Sequence, residues 1–272
     1  MLDKIKNGNC PLCDSTEIKY WRTYKTISLN KCKKCALVFK RGLCPEYYES
    51  GLAEDYYNDQ LCNTKTIYHS KAIYNWLKTY MARGRWLDIG CSVGQLLQFA
   101  NKDFDVYGID SSEKAIKQCE ISMPSGNFVC GLFEKTDSFK DNYFDVITMI
   151  EVIEHIPEPN LFLQKVYQKL KPGGVVLTAT GNTKSVFAIL MKDSWPYFTK
   201  DHLLYYNIKT LSFLLERNGF KILEKNAPVK FKHMLGAYSC SDNKLSFLRS
   251  CLAKFYFYGY TYNGMAIIAN KT

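Results

Sequence analysis

Two periods of apolar residues alternate from residue 85 onward. Short, nearly continuous apolar runs predict buried strands at 85–89, 105–109, 127–130, 144–150, 175–179, 220–225 and 264–269. Between them, apolar residues recur every three or four positions, which predicts helices at 94–101, 113–121, 160–170 and 208–218. This alternation is typical of a mostly parallel sheet with helices on both faces. The expected fold class is therefore α/β, with one large domain over residues 85–272.

The chain before residue 85 is patterned differently. Strand-like pieces at 17–24, 27–29 and 36–40 lie among paired cysteines, and we assign residues 1–45 to a small module. Residues 46–84 are polar and rich in tyrosine, and apolar spacing between Ile67 and Leu77 predicts a helix there. We interpret this stretch as a helical connector or lid.

Composition limits the classes of protein that the chain can represent. Its 272 residues are 47% hydrophobic, which suffices for a sizeable core, and no apolar run is long enough to span a membrane. The first residues lack the apolar core and cleavage site of a secretory signal. We therefore expect a cytoplasmic protein without a transmembrane segment.

The net charge of +10 is concentrated at the two ends of the chain. Residues 1–41 carry ten basic and three acidic side chains, and residues 219–272 carry eight basic and two acidic ones. Such an excess suits an anionic partner, such as a nucleotide-linked sugar, a phosphorylated glycan or a nucleic acid. A lysine-rich surface that is only solvated is the alternative.

Four of the eleven cysteines have the spacing of metal ligands. Cys10 and Cys13 are separated by two residues, as are Cys32 and Cys35, and eighteen residues lie between the pairs. Zn²⁺ prefers four tetrahedral ligands, and a site closed by four thiolates has a structural role. A segment this short cannot bury enough apolar surface alone, which gives a metal a physical purpose. The alternative is a chance arrangement of reduced cysteines.

A glycine-containing loop follows the first predicted strand of the large domain. Gly90 and Gly94 allow the backbone to approach a ligand closely, and Asp110 ends the next strand, where an acid can bind ribose hydroxyls. The dinucleotide pattern G-x-G-x-x-G is absent because Ser92 and Gln95 occupy its second and third glycine positions. The loop therefore favours a nucleoside without phosphates over NAD.

Residues 88–94, Asp-Ile-Gly-Cys-Ser-Val-Gly, resemble motif I of the class I S-adenosylmethionine-dependent methyltransferases. Asp110 matches the ribose-binding acid of that family. The family's fourth strand and acid-histidine segment resemble residues 144–147 and 151–156 of this chain. Its Leu-Lys-Pro-Gly-Gly turn resembles residues 170–174. The resemblance implies a Rossmann-like, mostly parallel seven-stranded sheet and S-adenosylmethionine as cofactor. A domain of this fold that has lost its ligand is the alternative.

The resemblance also implies which residues contact the cofactor. Gly131 and Leu132 stand where an acid often binds adenine, so apolar contact would replace it there, with Phe133 as a stacking partner. The expected cofactor-binding residues are Asp88, Gly90, Cys91, Ser92, Gly94, Asp110, Ser111, Leu132, Phe133, Ile150 and Glu151.

Two histidines are candidates for the base that methyl transfer to a hydroxyl requires. His155 follows the fourth strand, at the sheet edge where ligands bind in such folds, and Glu151 or Glu154 could orient its ring. His202 lies in the segment 195–203, whose position matches the substrate-covering segment of the family and whose aromatic residues would wall the acceptor site. We name His155, Glu151 and His202 as catalytic candidates; the alternative for each histidine is a packing or loop role.

The N-terminal stretch resembles the zinc head of one methyltransferase group, found largely in bacterial surface-polysaccharide, deoxysugar and natural-product biosynthesis. The resemblance rests on both cysteine pairs, on Ala-Leu-Val-Phe at 36–39 and on the tyrosines at 47–48. It implies a small-molecule or glycan acceptor whose sugar hydroxyl, sugar carbon or phosphoryl oxygen receives the methyl group.

Two other functions remain open. Zinc heads also occur in some ribosomal RNA methyltransferases, so an RNA substrate bound by the basic head is the main alternative. A non-catalytic protein that binds S-adenosylmethionine is the other.

An insertion at 228–262 precedes the last strand. Leucines and basic residues at helical spacing suggest an amphipathic helix that packs on the domain or rests on a membrane surface.

Overall fold

The computed structural model describes residues 8–24, 27–40, 64–225 and 264–272. The predicted insertion at 228–262 and residues 46–63 of the predicted connector lie outside these ranges. The strands are β1 Ile18–Tyr24, β2 Ile27–Cys32, β3 Val38–Lys40, β4 Gly84–Ile89, β5 Phe104–Asp110, β6 Asn127–Cys130, β7 Phe144–Ile150, β8 Leu170–Gly181, β9 Leu204–Tyr205, β10 Phe220–Lys225 and β11 Gly264–Lys271. The helices are α1 Thr64–Leu77, α2 Gln95–Ala100, α3 Glu113–Ser122, α4 Pro159–Lys169, α5 Val186–Met191 and α6 Ile208–Arg217.

Seven of the described strands form one sheet in the order β10-β11-β8-β7-β4-β5-β6. The ladders from β8 through β7, β4 and β5 to β6 are parallel, and β11 is antiparallel to both of its neighbours. The chain starts this sheet at β4, moves to β6 on one side and then returns to β7 on the other. Ligands bind at such a reversal, beyond the carboxyl ends of the strands.

Both faces of the sheet are covered. Trp86 on β4 and Val106 on β5 share a core with residues of α1, α2 and α3. Leu87 and Ile109, one register position away from that face, share a second core with residues of α4 and α6. Alternate side chains of a strand point to opposite faces, so this distribution places helices on both sides. The predicted Rossmann-like, mostly parallel α/β fold is confirmed.

A second sheet joins the N-terminal module to the large domain. Its strands follow the order β1-β2-β3-β9, and β9 comes from the far end of the chain, with Val38 paired to Tyr205 and Phe39 to Leu204. We use "N-terminal module" for the described residues 8–24 and 27–40. Its apolar side chains Leu12 and Leu37 belong to the same core as α4 and α6. The predicted domain boundaries remain predictions, but packing is continuous between the module and the large domain.

Most predicted elements occur within a few residues of their expected bounds, and one turn differs. The Lys-Pro-Gly-Gly stretch at 171–174 was expected to lie outside the strands, yet β8 already begins at Leu170. Leu170 pairs with Phe144, and pairing resumes at Val175 with Val146, so the four residues bulge from an established ladder. Gly173 provides the positive φ of 76° that this bulge requires.

The sequence pattern did not predict α5. This helix has only six residues, and Ile189 and Leu190 are exposed, so it lacks the apolar stripe that marks a helix packed on a core. Across the described part of the chain, no helix combines the length and the hydropathy that crossing a membrane requires.

Candidate active site

The loop after β4 bends sharply at the edge where the sheet order reverses. The backbone N–H groups of Gly90 and Cys91 both donate to the carbonyl of Ile109, at 2.8 and 3.2 Å. Gly90 has a φ of 73°, and a Cβ there would lie 2.5 Å from a methyl group of Val152. Only glycine fits this position without displacing its neighbour, so the bend depends on the residue type that the motif predicted.

Asp110 at the end of β5 anchors the loop 90–94 through hydrogen bonds. One carboxylate oxygen accepts a hydrogen bond from the N–H of Ser92 and the other from the N–H of Ser112, each at 2.9 Å. The side chain is 7% exposed and lies at the carboxyl edge of the sheet. An ionised carboxylate accepts about four hydrogen bonds, so these two anchors are compatible with further bonds to ribose hydroxyls.

Asp88 lies deeper than its predicted cofactor role suggests. Its carboxyl group is 4% exposed and accepts a hydrogen bond of 2.6 Å from the hydroxyl of Thr148, to which the indole of Trp86 donates in turn. Burial raises the pKa of Asp88 to about 7, and the charge of Asp110 adds to this. In this structure Asp88 ties β4 to β7 beneath the loop.

The other predicted residues of the loop and of the β5 edge contribute in different ways. The Cys91 thiol is buried, so this residue offers its backbone to the loop surface. Ser92 adopts a left-handed φ of 48°, and Gly94 one of 75° immediately before α2. Ser111 is exposed beside Asp110.

The segment after β6 presents backbone and one apolar side chain to the same edge. Gly131 donates from its N–H to the carbonyl of Asp110 at 2.8 Å, and a Cβ at Gly131 would meet nothing within 4 Å. Leu132 is half-buried next to it. Phe133, in contrast, is 3% exposed and packs edge-on against Phe162. So little of its ring is exposed that this packing disfavours the stacking of adenine on Phe133, which stays a prediction.

Glu151 and Ile150 end β7 beside the loop. Glu151 has a φ of 54°, and its N–H donates to the carbonyl of Ala179 at 2.9 Å. The hydroxyl of Tyr197 donates to the Glu151 carboxylate at 3.2 Å. Both Ile150 and Glu151 are half-buried. A residue from the segment 195–203 therefore reaches across to the end of β7, as a covering segment would.

The structure brings His155 and His202 together. Their ring centroids lie 4.7 Å apart and the ring planes are nearly perpendicular, at 82°. The Nδ1 atom of His155 donates to the carbonyl of Asp201 at 3.1 Å, so a backbone carbonyl orients this ring. Burial lowers the pKa of both imidazoles, that of His202 to about 4, and the neighbouring His155 contributes to the latter. The lowered pKa favours the neutral form of each ring.

Glu154 completes the group formed by the two histidines. A carboxylate oxygen of Glu154 and one nitrogen of each ring all lie within 4.8 Å of one another. The Glu154 side chain is 2% exposed, and its burial, followed by the charge of Glu151, raises its pKa well above the usual range. From the sequence, Glu154 is a candidate only for orienting the ring of His155. Its three-residue spacing from Glu151 was the available indication that it would face the same edge.

The aromatic residues of segment 195–203 are divided between two roles. Trp195 and Phe198 are almost fully buried and pack with Leu29 and Val38 of the N-terminal module. They cannot wall an acceptor site, which corrects the expectation for this pair. Tyr197 is half-buried and lies over Gly181, where a Cβ would be 2.3 Å from its ring. Tyr197 is the aromatic residue of this pattern that faces the end of β7.

The four predicted metal ligands converge. The Cys10 and Cys35 sulfurs are 3.5 Å apart, those of Cys13 and Cys32 are 3.6 Å apart, and all four lie within 4.8 Å of one another. Ligands 2.3 Å from a tetrahedral Zn²⁺ would be about 3.8 Å apart. The contact with Cys35, with burial, raises the pKa of Cys10, and the same contact lowers that of Cys35 to about 5. The residues fit a zinc ion.

The N-terminal module also supports the histidine segment. The backbone N–H of Lys40 donates to the carbonyl of Leu203, and the N–H of Leu203 donates to the carbonyl of Glu154, both at 2.9 Å. Asn160 on α4 donates from its side chain to the carbonyls of Pro11 and Leu12 at 3.1 Å. The cysteine cluster and the two histidines are thus parts of one hydrogen-bonded arrangement.

Comparison with known proteins identifies the family of the large domain. A family model described as a methyltransferase domain matches residues 69–225, more than half of the chain. The ubiquinone biosynthesis O-methyltransferase of Mesorhizobium japonicum is 36% identical over 102 residues, which are 36% of this chain and 41% of that protein. The 2-methyl-6-phytyl-1,4-hydroquinone methyltransferase of Synechocystis is 28% identical over 145 residues, 51% of this chain and 43% of that protein. The chain matches less than half the length of each of these curated relatives.

Solved structures show the same fold. A SAM-dependent methyltransferase from Archaeoglobus fulgidus aligns with a TM-score of 0.51 at 21% identity, covering 74% of this chain and 92% of that one. The magnesium protoporphyrin IX methyltransferase of Synechocystis, solved with bound SAH, aligns with a TM-score of 0.52 at 15% identity, covering 76% and 84%.

Proposed function

Because the chain belongs to the methyltransferase domain family, we propose that it transfers a methyl group from S-adenosylmethionine to a hydroxyl oxygen of a small molecule. S-adenosylmethionine supplies an electrophilic methyl group on a sulfonium. Transfer forms a bond from the acceptor oxygen to the methyl carbon, breaks the carbon–sulfur bond and releases the hydroxyl proton. The chain must therefore hold the donor, align the acceptor and accept or stabilise that proton.

The observation that carries the proposal is the anchoring of the loop 90–94 by Asp110 at the reversal point of the sheet. Asp110 would bind ribose hydroxyls, and the backbone of Gly90 to Ser92 would lie along the donor. The open space at Gly131 and the half-buried Leu132 would receive the adenine ring. Ser111, Ile150 and Glu151 border the same edge, so they complete the proposed donor site.

The acceptor would lie between the end of β7 and the segment 195–203. Burial favours the neutral form of His155 and of His202, and the Glu151 carboxylate accepts a hydrogen bond from the hydroxyl of Tyr197. This side therefore offers three groups able to bind or deprotonate a hydroxyl. One curated relative is named as an O-methyltransferase of ubiquinone biosynthesis, which supports a hydroxyl acceptor. A glycan acceptor is the narrower proposal that comes from the resemblance of the N-terminal module, and RNA is the alternative.

We further propose that Cys10, Cys13, Cys32 and Cys35 hold a structural zinc ion. The support is the sulfur spacing, which approaches that of a tetrahedral site. The ion would fix the N-terminal module, and through β3 and β9 it would fix the segment that carries His202. It has no open position for substrate, so it would take no part in the transfer itself.

A transfer assay with radiolabelled S-adenosylmethionine tests the proposed reaction. Purified protein is incubated with separate panels of catechols and hydroquinones, nucleotide sugars, and RNA. We expect label in a small-molecule hydroxyl and S-adenosylhomocysteine as the second product. Label only in sugar or RNA would move the acceptor to one of the alternatives, and donor binding without product in any panel would indicate a non-catalytic protein.

The His155→Ala variant assigns the acceptor side in the same assay. We expect turnover to fall by at least about a hundredfold while donor binding is retained, because the ring lies on the acceptor side. Unchanged turnover would leave His155 with a packing role only.

A further inference from the structure

We propose that Glu154, His155 and His202 form a divalent-cation site, separate from the cysteine cluster. Two imidazoles and one carboxylate are a ligand set that binds Zn²⁺, Fe²⁺, Co²⁺ and Mn²⁺. One potential ligand atom from each residue lies within 4.8 Å of the other two, so small side-chain movements would bring all three onto one ion. Among the described residues three ligands converge here, so the site would leave further coordination positions open.

The outer hydrogen bonds of the two histidines favour metal binding. His155 donates from Nδ1 to the carbonyl of Asp201 at 3.1 Å, and His202 donates from Nδ1 to the carbonyl of Tyr197 at 2.8 Å. A neutral ring that carries its proton on Nδ1 has a lone pair on Nε2. Metal-binding histidines commonly show this pattern, in which a carbonyl fixes the tautomer and the ring orientation. Both rings therefore present the nitrogen that a cation uses.

Glu154 gives the second, independent observation. Its side chain is 2% exposed, and neither carboxyl oxygen makes a hydrogen bond of normal geometry with the described residues, although the side chains of Glu151 and Thr180 interact with it. A buried polar group without partners costs free energy, and carboxylates in such places usually pair with a cation or coordinate a metal. One carboxyl oxygen of Glu154 lies within 4.8 Å of a nitrogen of each imidazole. A divalent cation would satisfy the carboxylate and both rings at once.

The backbone holds the ligands in place from two directions. Glu154 and His155 belong to the 3₁₀ turn Ile153–His155 that follows β7, and His202 lies two residues before the start of β9. The N–H of Leu203 donates to the carbonyl of Glu154 at 2.9 Å and joins the two segments next to the ligands. The ligand atoms are thus held close together before any ion binds, which lowers the cost of assembling the site.

The cation gives the acceptor side a specific role, and this step rests on the proposed function. A hydroxyl oxygen of the acceptor would take an open coordination position, and the cation would lower the pKa of that hydroxyl. The released proton would pass to solvent or to the carboxylate of Glu151. His155 and His202 would then be ligands of the ion, and neither would act as the general base.

Binding of Mn²⁺, followed by the loss of its free paramagnetic resonance signal, tests the site directly. Mn²⁺ prefers oxygen and imidazole ligands to thiolates, so protein loaded with zinc at the cysteine cluster can be titrated with it. We expect one Mn²⁺ per chain in the unmodified protein. Glu154→Gln and His202→Asn should each weaken binding by at least about tenfold. Glu158→Gln, a matched change four residues further along the chain, should leave it unaltered.

The outcomes separate this site from the proposed reaction. Failure of the unmodified protein to bind Mn²⁺, Co²⁺ or Zn²⁺ beyond the cysteine cluster would overturn the site, whatever the variants do. Equal binding by the unmodified protein and both ligand variants would overturn it as well. Calorimetric binding of S-adenosylhomocysteine is measured on the same samples, so loss of donor binding would count against the proposed function alone.

Discussion

Asp88 and Asp110 lie at the carboxyl ends of neighbouring strands and have opposite surroundings. The carboxylate of Asp110 accepts two backbone hydrogen bonds that define the loop 90–94. Asp88 has Thr148 as its hydrogen-bond donor and lies in the apolar interior. Burial disfavours the charged form of a carboxyl group, and it raises the pKa of Asp88. One aspartate therefore suits ligand binding, and the other suits a structural role beneath the loop.

The buried position of Asp88 predicts a pH-dependent stability. The pKa of Asp88 is about 7 in the folded protein, whereas an unburied aspartate has a pKa of 3.8. Between these two pH values the native state therefore binds more protons than the unfolded chain. The contribution of Asp88 to the free energy of unfolding must then fall as pH rises through this range. Asp88→Asn removes the ionisation. The free energy of unfolding of the variant relative to the unmodified protein should rise by up to about 4 kcal/mol from pH 4 to pH 7.

Urea unfolding at several pH values measures this difference. Asp105→Asn, on the neighbouring strand β5 and exposed, is the matched control and should give a difference that does not change with pH. A flat difference for Asp88→Asn would show that Asp88 is ionised in the folded protein throughout this range.

Elements with a strong apolar period were predictable from the sequence, because burial of a strand on both faces requires a nearly continuous run of apolar residues. The strands at 127–130, 144–150 and 220–225 have the observed bounds, and the other strands of the large sheet differ by a few residues. The close approach of four cysteines also followed from their spacing, since two turns with cysteines three apart provide a tetrahedral ligand set. Local pattern was sufficient in both cases.

Features that depend on long-range pairing were not predictable. β9 has two residues and exists because it pairs with β3, more than 160 positions earlier in the chain. The burial of Phe133 and Trp195 likewise depends on which distant surfaces they meet, Phe162 for the first and the N-terminal module for the second. An aromatic residue beside a motif looks the same in the sequence whether it faces a ligand or the core.

The link between β3 and β9 predicts that zinc removal affects the histidine segment. Cys13→Ser removes one sulfur of the cluster, and structural zinc contributes directly to the stability of small modules. Backbone amide exchange should therefore accelerate in β2, in β3 and in Leu203 to Tyr205, while the amides of β4 in the large sheet stay protected. Hydrogen-exchange mass spectrometry measures both regions in one experiment.

Cys130→Ser serves as the control for this effect, because Cys130 is exposed and lies outside the cluster. It should retain about one zinc per chain and the exchange pattern of the unmodified protein. Purified protein without zinc, or a Cys13→Ser variant with normal exchange around β9, would contradict the structural role of the cluster.

At the scale of the whole molecule, the N-terminal module and the large domain act as one packed unit. They share the core that contains Leu12 and Leu37, and they share the sheet that β9 completes. The proposed donor edge belongs to the large sheet, and the proposed acceptor side includes a segment that the module supports. We infer that the module is a structural part of the active site, which gives its cysteines a purpose beyond their own segment.

The proposed function depends on binding of S-adenosylmethionine by Asp110 at the carboxyl edge of β4 and β5. Calorimetric titration with S-adenosylhomocysteine tests it most directly, with Asp105→Asn as the matched control on the same strand. We predict one binding site per chain, an affinity reduced at least about tenfold, or 1.4 kcal/mol, in Asp110→Asn, and no change in the control. Absence of binding to the unmodified protein, or an unchanged affinity in Asp110→Asn, would show that Asp110 does not form the cofactor site.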